Sequence, residues 1–81
     1  MKLLREFYET GSEESKEYII EVSAYNLDED EHMQVRKFIE QHNGSFSYID
    51  ADSIHAEFSL DKYDKAMNLL KTMEKDGWSW R

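Results

Sequence analysis

Carboxylates are the reactive groups this chain has in excess: 18 Asp and Glu stand against 10 Lys and Arg, for a net charge of −8. Asp28-Glu29-Asp30-Glu31 has the opening of a calcium loop, but such a loop needs a glycine at its sixth position and a carboxylate at its twelfth. Counted from Asp28, those positions are Met33 and Ile39. The run suits the first turn of a helix better, where the positive end of the dipole stabilises negative charge. Asp50 and Asp52 fall in turn chemistry, where solvation leaves carboxyl pKa values ordinary and of no use for general acid catalysis. The histidines His32, His42 and His55 match no metal-ligand spacing. On one helix, His32 and His42 are about 15 Å apart, too far to share an ion. With no cysteine there is no thiolate ligand, nucleophile or disulfide. No serine sits in a nucleophile elbow and no glycine-rich loop precedes a helix. The expectation is a protein that is not an enzyme and holds no metal or cofactor.

The elements that carry these residues follow from periodicity. Residues 2–9 put Leu3, Leu4, Phe7 and Tyr8 on one side of a short amphipathic helix and Lys2, Arg5, Glu6 and Glu9 on the other. Thr10 to Ser15 then reads as a hinge, with Gly11 ending the helix. From Lys16 to Tyr25 the period becomes two, with Tyr18, Ile20, Val22 and Ala24 on one face and Ile19, Glu21, Ser23 and Tyr25 on the other, which predicts a strand. A helix follows, with Asp28 among its capping residues, to about Gln41 or His42, its buried stripe being His32 or Met33, Val35, Phe38, Ile39 and His42, with Asn43-Gly44 as its left-handed stop. A hairpin is expected over 45–50 and 54–60. The last helix begins at Asp61, turns Tyr63, Ala66, Met67, Leu70 and Met73 inward, and is stopped by Gly77; Trp78-Ser79-Trp80 adds a short strand with both indoles on one face.

This order predicts an α+β fold, a ferredoxin-like split β-α-β sandwich whose antiparallel sheet carries two helices on one face, preceded by a short N-terminal amphipathic helix. The boundaries are 1–15 for the N-terminal helix and linker and 16–81 for a single α+β domain. A chain of this length buries only roughly 60% of its unfolded surface, so any pocket is shallow or shared with a partner. No apolar run reaches the length of a membrane span or signal peptide. The expected location is therefore cytoplasmic, with no membrane contact.

Charge is distributed unevenly. Residues 1–31 hold ten acids against three bases, whereas residues 32–81 are nearly balanced. An acidic surface disfavours direct nucleic-acid binding, which needs a basic one. It suits docking on a basic protein surface, including one that normally holds nucleic acid. The partner-binding residues expected on this reading are Glu13, Glu14, Glu17, Glu21, Asp28, Glu29 and Asp30, with Tyr25, Trp78 and Trp80 as aromatic anchors. The alternative is an assembly module that homo-oligomerises, or attaches to a larger particle, through its N-terminal helix and sheet face.

Met1-Lys2-Leu3-Leu4-Arg5-Glu6-Phe7 looks like the short amphipathic leaders of small accessory proteins in large tailed phages, and Leu4-Arg5-Glu6 resembles the Leu-x-Glu pattern that such phages process in head assembly. The remainder is similar in plan to the domain of bacterial ribonuclease E inhibitors, which also ends in an aspartate-glycine-tryptophan turn like Asp76-Gly77-Trp78. What these resemblances imply is a phage-encoded inhibitor of a host protein.

Overall fold

A computed structural model describes residues 1–76 and 80. Two long strands, β1 (Lys2–Ser12) and β2 (Ser15–Tyr25), lead into helix α1 (Glu29–Gln41), the hairpin β3 (Ser45–Ile49) and β4 (Ile54–Leu60), and helix α2 (Tyr63–Lys75). The sheet order is β1-β2-β4-β3 with every neighbouring pair antiparallel. Strands β2 and β3 are therefore parallel, joined by α1 and separated by β4, an arrangement compatible with a split β-α-β sandwich.

The expected N-terminal helix is strand β1, paired with β2 residue for residue from Lys2↔Tyr25 to Ser12↔Ser15. The doublets Leu3-Leu4 and Phe7-Tyr8 satisfy a helical stripe, but they equally place Leu3 and Phe7 on one face of a strand and Leu4 and Tyr8 on the other. An isolated two-turn helix is marginal in water, whereas β2 offers a full ladder of hydrogen bonds. The expected hinge is the tip of this hairpin, Glu13-Glu14. Gly11 takes φ +94°, and a Cβ there would run into the Ser15 carbonyl oxygen. The glycine serves the hairpin, not a helix end.

Both helices pack on the same face of the sheet. Val35, Phe38 and Ile39 of α1 and Ala66, Leu69 and Met73 of α2 share one buried cluster with Leu3, Ile20, Val22, Ala24, Ile54, Ala56 and Phe58. Helix α1 starts at the expected place because Asp28 accepts from the Glu31 N–H at 2.8 Å while the Glu31 side chain accepts from the Asp28 N–H at 3.0 Å, a reciprocal capping box. At its other end Asn43, not Gly44, takes the left-handed conformation. Gly44 is needed for closeness: an added Cβ would lie 2.7 Å from Ile39 and 2.8 Å from the Phe58 ring. Helix α2 begins two residues later than expected, with Lys62 at its N-cap. Leu69 takes the buried place expected of Leu70, and Tyr63 is half exposed while meeting Phe7 and Tyr18 edge-on. Arg5 ties β1 to α2 by donating to the Leu70 carbonyl at 3.2 Å and to Glu74 at 2.9 Å.

Trp80 is buried and forms a parallel bridge with Leu3 on the outer side of β1. Its side chain packs at the sheet edge and is buried in the chain by itself, where the expected anchor role calls for an exposed one. The readings placed on Gly77, Trp78 and Ser79 lie outside the described residues. No described helix is long and apolar enough to cross a membrane.

Candidate functional site

The sheet face turned away from the helices carries Leu4, Glu6 and Tyr8 of β1, Glu17, Ile19, Glu21, Ser23 and Tyr25 of β2, and His55, Glu57 and Ser59 of β4, as the registers require. No described element covers it. Glu6 pairs with Glu21, and Glu21 pairs with Glu57, so three carboxylates form one row across three adjacent strands. Like charges directly opposite one another in a sheet destabilise it. Among the described residues no lysine or arginine lies within ion-pair distance of any of the three; the ion pairs present are Arg5–Glu74, Lys16–Glu9 and Lys65–Asp61.

One neutral partner does reach the row. The Tyr8 hydroxyl donates to Glu21 Oε1 at 2.7 Å. That hydrogen bond, with the negative field of Glu21, Glu57 and Glu6, pushes the Tyr8 pKa up from about 10 to about 12. A raised phenol pKa contributes stability that is fully present below the unfolded value and lost as pH rises through the folded one, here between about pH 10 and 12. Glu21→Gln is expected to return the Tyr8 transition toward pH 10 in an NMR titration of the tyrosine rings. Tyr48, raised by its own bond to Asp50, stays where it is. A Tyr8 titration indifferent to Glu21 refutes the link.

Beside the carboxylates is an aromatic wall. His55 lies edge-on to Tyr25 at 5.2 Å and to Tyr48 at 5.6 Å. Between wall and row the floor is small, and a depression of about 200 Å³ is lined by Glu21, Ser23, Ser47, His55 and Glu57. A second of similar size, beside it toward β1, shares Glu21 and Ser23 and adds Leu4 and Glu6.

The expected binding residues are thus divided. Glu17, Glu21 and Tyr25 share the open face, and Glu13 and Glu14 sit at the hairpin tip. Asp28, Glu29 and Asp30 belong to the start of α1, where Asp28 is occupied as its cap. Glu6, Glu57, Tyr8, Tyr48 and His55 join the site without having been singled out from the sequence. The alternation of His55 and Glu57 with Ile54, Ala56 and Phe58 already assigns them to the outer face of β4, but only the β2–β4 register sets Glu57 against Glu21.

The described residues hold no cluster of His, Asp and Glu with metal-binding geometry. The histidines are dispersed: His32 Nε2 is 2.8 Å from the Asp50 carbonyl, His42 rests on the Phe38 ring at 4.5 Å, and His55 is on the open face. The Asp50 carboxyl is not ordinary, because the Tyr48 hydroxyl and the Asp52 N–H donate to it and hold its pKa down. That keeps it ionised, the wrong state for an acid catalyst. Comparison with known protein families, with curated proteins and with solved structures finds no match.

Proposed function

We propose that this chain is a small acidic, non-catalytic protein-binding module, an inhibitor that occupies a basic, nucleic-acid-handling surface of another protein with its open sheet face. The observation that carries this reading is the row Glu6–Glu21–Glu57: three carboxylates set opposite one another, at a cost to the sheet, where a cationic surface would neutralise all three. The aromatic wall of Tyr25, His55 and Tyr48 supports it, since aromatic groups are enriched at binding surfaces. The finer fold is the ferredoxin-like sandwich, with β1 standing in the edge position that a C-terminal strand holds in that arrangement. The alternative, an assembly module that docks through its N-terminal segment and sheet face, would use β1 in place of the expected helix.

An arginine- and lysine-rich helical peptide serves as the basic partner in stopped-flow association. Glu6, Glu21 and Glu57 replaced together by Gln are expected to slow association roughly tenfold at low salt and to flatten its dependence on ionic strength. Glu13, Glu14 and Glu17 replaced by Gln should slow it less, because only Glu17 shares the face. Both variants should fold, since the exchanged side chains lie at the surface and relief of the like-charge row favours the sheet. Unchanged kinetics in both variants at low salt would sink the proposal.

A further inference from the structure

The two edges of the sheet are built differently. Strand β3 is five residues long and bulged between Phe46 and Tyr48, two devices that keep an edge from pairing with another chain. Strand β1 is 11 residues long, has no register shift against β2 and contains no proline. Among the described residues its outer side meets one backbone partner, Trp80 at Leu3. From Arg5 to Ser12 the outward N–H and C=O groups are therefore a template for one more strand.

The carboxylate row ends on this edge. Glu6 is its outermost member, and a residue directly opposite on an added strand would stand about 5 Å away, Cβ to Cβ. We propose that the outer edge of β1, from Arg5 to Ser12, takes up an extended segment of a partner protein as a fifth strand, with an arginine or lysine opposite Glu6. The proposal rests on the acidic-face reading and adds the place and the manner of docking. Side chains on β1 define the rest of the segment: apolar or β-branched residues opposite Tyr8 and Phe7, and a second cation opposite Glu9, three positions from the first.

A second copy of the chain fits poorly. Each copy carries a net charge of −8. On its own β1 edge the cations it could bring are Arg5, already committed to Leu70 and Glu74, and Lys2, which lies next to the end that Trp80 occupies. Nucleic acid is repelled by the same charge, and a free cation has no backbone to complete the ladder. An extended basic segment of another protein meets both requirements, by strand addition.

The test uses the whole chain and two blocked peptides built of threonine and valine, one with two arginines three positions apart, the other with glutamates in their place. Amide hydrogen exchange and backbone NMR shifts are read together. The arginine peptide is expected to slow exchange at those β1 amides between Arg5 and Ser12 that exchange readily in the free protein, and to shift Glu6; the glutamate peptide should do neither. Glu6 is exposed, so Glu6→Lys should fold. It should lose affinity for the arginine peptide about tenfold and gain for the glutamate peptide, as exchange of an opposite-charge pair for a like-charge one requires. Shifts confined to Ser23, His55 and Glu57 with β1 exchange unaltered would overturn the strand-addition proposal and leave the acidic face intact. So would indifference to the arginine peptide in a protein that still binds the helical basic peptide. Failure of both the arginine peptide and the helical basic peptide to bind would overturn both readings.

Discussion

Replacing Phe58 by alanine is expected to lower the free energy of unfolding by about 3–5 kcal/mol, toward the upper end of that range. The ring is 1% exposed. It faces Ile20 across the β2–β4 ladder, meets Phe38 of α1 edge-on at 6.3 Å, and lies so near Gly44 that no Cβ fits between. Its surroundings are main chain and fully buried side chains tied into three elements, so the space left by the ring cannot readily close. A cavity that stays open is what makes such substitutions expensive. A domain of this size has a total stability of about 4–12 kcal/mol, so the variant should be partly unfolded at moderate temperature. Urea unfolding followed by far-ultraviolet circular dichroism measures the difference. A loss below about 1 kcal/mol would mean that Phe58 faces solvent and that β4 is paired one residue out of register.

Trp80→Ala is expected to cost about 3 kcal/mol and to leave the state of association unchanged. The indole is 8% exposed and sits beside Leu3, itself 4% exposed, at the edge of the buried cluster. Had it been an anchor for another molecule, truncation would act on dissociation of that complex and hardly on folding. Denaturant unfolding and sedimentation separate the two cases. An unaltered unfolding midpoint with a change in oligomeric state would put Trp80 at an interface.

Five of the six elements are legible in the sequence because each carries one unambiguous period, α2 included, with Ala66 and Met73 on its inward stripe. Tyr18 to Tyr25 alternates cleanly, Glu29 to Gln41 has a caps-and-stripe pattern, and the segments around Phe46 and Phe58 alternate about a turn. Strand β1 was not legible because Leu3-Leu4 and Phe7-Tyr8 are compatible with both periods, and the choice is made by β2, which lies outside the window being read. The same limit governs the site. Glu21 and Tyr25 could be assigned to the outer face from their own strand. The Glu6–Glu21–Glu57 row needs two cross-strand registers that no local pattern contains. The packing of Trp80 depends in the same way on β1 being a strand that it can lie against.

The β1–β2 hairpin outruns the sheet. Pairing between β2 and β4 begins at Tyr18↔Leu60, so, among the described residues, 10–17 of the hairpin have only each other as backbone partners. A two-stranded ribbon is marginal by itself. The molecule should therefore open in two stages, the ribbon tip fraying at a small fraction of the energy that releases the four-stranded region. Changes of length are absorbed where opening is cheap. The Glu13-Glu14 turn is accordingly the position at which extra residues could be spliced in, lengthening or shortening the finger while the helices and the paired core of the sheet keep their places.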